Sequence, residues 1–274
     1  MPHSMQPPVL MAPEALVNLD LYPIDNLASE AARRLVARCS ADLKATGACV
    51  LPDFLRPEAT SALAVEAEGL APLAYHNALT GNAYLEPIDE TLDEGHPKKM
   101  TETTALGAVA YDQIPSSAGL RRLYESELLI RFLEAALGRG TLYRYGDPMG
   151  ALNIAVMGDG DYLRWHFDQT DFVTSIALQS SDEGGEFEYV PMIRTPSDER
   201  FPAVKQLLSG SREGVITLPT TPGSLILFEG RYSIHRVTTI KGRTNRLMAL
   251  LGYDTKPDVM STEHLRKIRY GRSN

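Results

Sequence analysis

A chain of 274 residues, 43% hydrophobic and 23% charged, is long enough to bury its own core and too apolar to be largely disordered. Its net charge of −8 and pI of about 5.3 argue against nucleic acid as a partner, because phosphate backbones are gripped by clustered Lys and Arg. No apolar run approaches the roughly 18 residues that span a bilayer, so a small molecule, not a membrane, is the expected partner; oligomeric state is not legible. The opening MPHSMQPPVLMAPEAL has no basic stretch followed by an apolar run, which reads as a cytoplasmic protein. Two cysteines, Cys39 and Cys49, without CxxC spacing predict neither a disulfide framework nor a zinc site.

Residues 1–14 are proline-rich and aperiodic and read as a loose tail, leaving 15–274 as a single domain. Apolar positions at helical spacing predict a helix over 27–44, stopped by Gly47. A strand is expected over 48–55 and a helix over 57–70, opened by Pro57. Residues 75–114 show little periodicity and much polarity, which predicts a structureless, substrate-covering lid. Residues 120–137 read as two helices broken at Ser126, the second ended by Gly138. Beyond this point short β-rich segments follow one another at 142–145, 152–157, 172–179, 186–190, 214–218, 224–228, 233–238 and 246–253, with one helix at 198–208. The fold class is therefore mostly β with flanking α, a sandwich or barrel with the earlier helices packed outside.

His166 and Asp168 form His-Phe-Asp; two apart on an extended segment, they project from one face and can grip one ion. His235, in the strand-like Tyr232-Ser-Ile-His-Arg-Val, would complete a two-histidine, one-carboxylate facial triad. Such a triad leaves three positions of an octahedral ion open, as in non-haem Fe(II) oxygenases. Arg246 enters the apolar segment Leu247-Met-Ala-Leu-Leu, where a guanidinium needs a charge partner that its planar fork matches to a carboxylate.

Several ordered motifs carry a resemblance. They are Met157-Gly-Asp-Gly-Asp-Tyr-Leu-Arg-Trp-His166-Phe-Asp168, then Gly184-Gly-Glu-Phe-Glu188, Pro222-Gly-Ser224, and His235-Arg-Val-Thr followed by Gly242-Arg-Thr-Asn-Arg246. Over residues 141–256 the chain resembles the double-stranded β-helix (jelly-roll, cupin-like) core of Fe(II)/2-oxoglutarate-dependent oxygenases. Within them it is most similar to the prolyl-hydroxylase-like branch and to bacterial amino-acid hydroxylases related to radical halogenases. The resemblance implies that His166, Asp168 and His235 hold the iron, with 2-oxoglutarate as cosubstrate and O2 as oxidant. It implies that Arg246 clamps the distal carboxylate of 2-oxoglutarate, with Arg243 as runner-up. Arg246 is preferred because it shares a strand face with Met248 and Leu250, whereas Arg243 sits in a Lys-Gly-Arg turn. Asn153 is a candidate further contact to the cosubstrate, and Met157 departs from the tyrosine common in the prolyl-hydroxylase branch.

Halogenating relatives have a small residue where this chain has Asp168, so the resemblance implies hydroxylation, while desaturation or ring closure in natural-product biosynthesis uses the same ligands. A free amino acid or derivative is the implied substrate. Candidate contacts are Gln169, Asp171, Arg164 and Arg194, with His76, Asn77 and Tyr84 in the expected lid. Trp165 is expected to pack the barrel wall. A binding module without turnover, and a metal-dependent hydrolase or isomerase of cupin type, remain as other classes on the same barrel.

Overall fold

The computed structural model describes residues 11–274. Of the expected tail, residues 1–10 lie outside the described residues, and the chain is already helical in α1, Pro13–Leu16. Helix α2, Glu30–Thr46, starts where Ser29 Oγ accepts from the Ala32 amide and ends at Gly47, whose φ of 71° a side chain disfavours. It buries Ala32, Leu35, Cys39 and Leu43, the stripe that the spacing predicts. Strand β1, Ala48–Leu51, is shorter than expected, because Pro52 cannot continue the ladder, and α3 follows at Pro57–Leu70.

The expected lid is the main correction. Strands β2, Tyr75–Asn82, and β3, Thr101–Val109, pair with each other, leaving 83–100 between them irregular and a 3-10 turn at Tyr111–Gln113. The sheet was hidden because β2 lies at a sheet edge and is largely exposed, which removes the apolar alternation that marks a half-buried strand. Helices α4, Gly119–Glu125, and α5, Glu127–Leu137, meet at Ser126, whose Oγ accepts from the Leu129 amide.

The β-rich half contains β4, Tyr143–Arg144, β5, Leu152–Met157, β6, Leu163–His166, β7, Val173–Gln179, and β8, Phe187–Val190. After α6, Phe201–Leu208, come β9, Ile216–Leu218, β10, Leu225–Phe228, β11, Ile234–Val237, β12, Arg246–Leu251, and β13, Tyr253–Asp254. Helix α7, Glu263–Tyr270, was not anticipated.

A seven-stranded antiparallel sheet in the order β1-β10-β7-β12-β5-β3-β2 faces a four-stranded one, β6-β11-β8-β9, while β4 and β13 pair separately. This is the double-stranded β-helix expected for the fold class. Strand parity divides the large sheet. Leu247, Ala249 and Leu251 of β12 join Leu152, Ile154 and Val156 of β5 in a core shared with α2, α3, α4 and α5. Each fully buried leucine there contributes about 1.5–3 kcal/mol. On the other face, Arg246, Met248 and Leu250 stand opposite Met157, Ala155 and Asn153 and look into the barrel. There Met248 packs with Tyr189, Ile226 and Phe228. Trp165 packs with Phe167, Ile193 and Ile234 and carries Arg236 over its ring. Cys39 and Cys49 are buried and free, and among the described residues no helix is long and apolar enough to cross a membrane.

Candidate metal centre

The two histidines are cross-strand neighbours: β6 and β11 pair antiparallel with His166 opposite His235, which brings the ring centroids to 4.1 Å. The Nδ1 of His166 lies 2.9 Å from the carbonyl of Arg164, and that of His235 lies 3.0 Å from the carbonyl of Ser233. A carbonyl accepts, so each Nδ1 carries a proton, which leaves each Nε2 as the atom turned toward Asp168. Asp168 follows the end of β6, its amide donating to the carbonyl of Gly230 at 3.0 Å. Its Oδ1 stands 3.7 Å from His166 Nε2 and 3.5 Å from His235 Nε2. One ligand atom from each residue falls within 4.8 Å of the others, the one such group of three among the described residues.

Electrostatics prepare these groups for a cation. Burial, reinforced by the neighbouring His235, pushes His166 down to about 3, so its ring is neutral at working pH. Burial pushes the Asp168 carboxyl up, but the two histidines, and more weakly Arg269, outweigh this and hold it below the ordinary aspartate value. Two imidazole nitrogens and one carboxylate oxygen are the donor set that a non-haem Fe(II) ion takes. Phe187 stacks against His235 and Phe228 meets it edge-on, so the ring is fixed and screened from water on two sides.

Arg246 opens β12 on the same inner face. It is 5% exposed, its Nε donates to the carbonyl of Gly185 at 3.0 Å, and among the described residues it meets no carboxylate. Burial lowers its pKa to about 10. A buried guanidinium without a counter-charge is costly, and the arrangement calls for an acidic ligand. Arg243 is exposed in the turn, where its amide donates to Asp182. Asn153 is buried on β5, opposite Leu250, and its amide group makes no hydrogen bond among the described residues. Met157 stands directly across from Arg246.

The substrate candidates divide. Arg164 is buried two residues before His166, donating to Leu79 O and Thr104 Oγ1, with its Nε enclosed and unpartnered among the described residues. Gln169 donates to Tyr84 O, while Asp171 is engaged by Arg231 and Arg139. Arg194 lies over the Phe167 ring and is tied to Glu199 and Arg231 O. Tyr84 is 2% exposed and packs on Phe167, which makes it a core residue where a lid residue was expected. His76 and Asn77 lie on β2, His76 exposed beside Asp161 and Asn77 donating to Ile268 O of α7. Neither sits in a lid.

The structure adds residues that sequence reading missed. Arg269 of α7 and Tyr145 both lie close enough to exchange electrostatic influence with Asp168. Gly230 lies against the Asp168 carboxylate. The tyrosine was visible only as part of a short β-rich segment, and the other two lie 101 and 62 residues beyond Asp168, with no local motif to mark them.

A family model described as HalD, Halogenase D, matches residues 31–268. No curated protein matches the chain. Among solved structures, an oxidoreductase of the 2OG-Fe(II) oxygenase family from Burkholderia pseudomallei is 18% identical over 80% of this chain and 90% of its own, with a TM-score of 0.50. The non-heme alpha-ketoglutarate-dependent epimerase SnoN from nogalamycin biosynthesis is 15% identical over 81% of each chain, at 0.53. A prolyl hydroxylase from Trichoplax adhaerens, in complex with a hypoxia inducible factor peptide fragment, is 15% identical over 80% and 89%, at 0.52. At these identities the likeness is one of fold.

Proposed function

The chain belongs to the halogenase D family, and from that premise we propose that it is an Fe(II)- and 2-oxoglutarate-dependent oxygenase that hydroxylates an unactivated C–H bond instead of halogenating it. The observation that carries this reading is the Asp168 carboxylate, whose Oδ1 stands within 3.7 Å of both histidine Nε2 atoms. A carboxylate there occupies the position that a halide would need.

When bound, Fe(II) with 2-oxoglutarate and O2 supplies the oxidising chemistry, converting 2-oxoglutarate to succinate and carbon dioxide as the substrate C–H bond is oxidised. The protein does the rest. His166 and His235, each oriented by its own backbone carbonyl, and Asp168 hold the metal. Arg246 receives the distal carboxylate of the cosubstrate, with Asn153 as a further polar contact on the same face. The Phe187 and Phe228 rings keep water from the histidine side of the site.

The substrate is a small polar molecule, a free amino acid or derivative. The buried Arg164, which among the described residues is ion-paired with no carboxylate, supports an acidic group on it. A cytoplasmic setting, where buried thiols such as Cys39 and Cys49 stay reduced, suits the reading. Desaturation or ring closure would use the same residues and is told apart by product mass. The unpaired Arg246 weighs against a metal-dependent hydrolase or a binding module, which need no cosubstrate clamp.

The test is aerobic incubation of purified protein with Fe(II), 2-oxoglutarate and a pool of amino acids, following succinate. Formation that requires Fe(II) and disappears in His166→Ala is expected. Absence of any 2-oxoglutarate consumption across the pool would refute the proposal.

A further inference from the structure

We infer that Gly230 is a positioning residue: the lack of a side chain at this position is what seats the Asp168 carboxylate beside the two histidines. The inference rests on the reading of Asp168 as a metal ligand. A Cβ placed on Gly230 would fall 1.7 Å from Asp168 Oδ2 and 2.5 Å from its Cγ. The same residue supplies the carbonyl that accepts the Asp168 amide, so it fixes the main chain of the ligand and leaves room for its side chain at once.

Backbone conformation does not explain the glycine. Its φ lies outside the left-handed region, so alanine could adopt the backbone, and space is the reason that remains. Nor can the carboxylate readily turn elsewhere. Asp168 Oδ2 is enclosed without a hydrogen-bond partner among the described residues, and Oδ1 is the oxygen presented to the histidines.

The turn carrying Gly230 is also held in place from both sides. Glu229 pairs with Arg139, which reaches Asp171 at 3.7 Å, and Arg231 bonds both Asp171 and the carbonyl of Gln169. These ties fasten residues 229–231 onto 169–171. Relief of a clash at Gly230 therefore falls on the Asp168 side chain, which must retreat by more than about 1 Å to reach an ordinary contact distance. Misplacement on that scale removes a ligand from its working geometry.

The experiment measures Mn(II) affinity by calorimetric titration of metal-free wild type, Gly230→Ala, Asp168→Gly and the double variant, with thermal melts of each. We expect Gly230→Ala to weaken Mn(II) binding by roughly 10–100-fold. In the Asp168→Gly background, where the colliding carboxylate is gone, the same substitution should change affinity by less than about twofold and leave melting unaltered. If Gly230→Ala alone unfolds the protein, recovery of the fold in the double variant supports the same collision. Wild-type Mn(II) affinity in Gly230→Ala would overturn the inference, as would an equal loss in both backgrounds. Unchanged affinity in Asp168→Gly would instead refute the ligand reading itself, and the inference with it.

Discussion

Replacing Arg246 with glutamine takes away a charge that the folded protein holds at a cost. The guanidinium is buried, bonded to one carbonyl and without an acidic partner among the described residues, and burial lowers its pKa from the ordinary arginine value to about 10. At 1.36 kcal/mol per pKa unit, that lowering corresponds to a desolvation penalty of about 3 kcal/mol on the charged form. A cation whose folded pKa is depressed is a destabilising element, and a bound carboxylate relieves it. Arg246→Gln should therefore leave the cosubstrate-free protein at least as stable as wild type. It should weaken 2-oxoglutarate by at least about thirtyfold, the equivalent of about 2 kcal/mol at the low end for a lost buried charge pair. Calorimetric titration of 2-oxoglutarate into Mn(II)-loaded protein reads the second effect, and melting curves with and without cosubstrate read the first. Binding within threefold of wild type in Arg246→Gln, or the full loss in Arg243→Gln instead, would refute the argument.

Three further outcomes follow from the same structure. His166→Ala and His235→Ala should each abolish Fe(II)-dependent turnover and lower Mn(II) affinity while retaining the wild-type circular dichroism spectrum, since apolar packing holds the β-core. Phe132, fully buried in α5 and stacked on Phe54, should cost about 3–5 kcal/mol when cut to alanine, measured by urea unfolding. Glu188 is held below the ordinary glutamate value, chiefly by Arg212 and then by Arg236, so its contribution is present above that ordinary value and lost as pH falls through the lowered one. Glu188→Gln should lower stability by about 1–2 kcal/mol at pH 7, with the difference from wild type closing as pH falls below the ordinary glutamate value in melting experiments.

Much of the site was legible because its chemistry sits on strands with marked neighbours. The His166–Asp168 pair lies two residues apart, and the parity that set Arg246 beside Met248 and Leu250 is the parity that turns it into the barrel. What escaped was whatever depends on contacts distant in sequence. Strands β2 and β3 read as a polar loop because β2 is an exposed edge strand, ordered by main-chain pairing with β3 and not by an apolar face of its own. Helix α7, with the sequence EHLRKIRY, has little apolar content, and it docks through Tyr270 and the carbonyl of Ile268. Tyr84 looked like a loop residue in a polar stretch, yet its ring packs on Phe167 and Phe201. Gly230 carries no signal of its own, because its role exists only once the chain returns to Asp168.

The account stands most directly on the product formed in the presence of halide. Wild-type protein loaded with Fe(II) should be incubated with 2-oxoglutarate, air, high chloride and the amino-acid pool, and each new product weighed by mass spectrometry. On the reading that Asp168 is a metal ligand, the expected product gains one oxygen atom, drawn from labelled O2, and shows no chlorine isotope pattern. A chlorinated product from the wild-type enzyme would contradict the account at its centre.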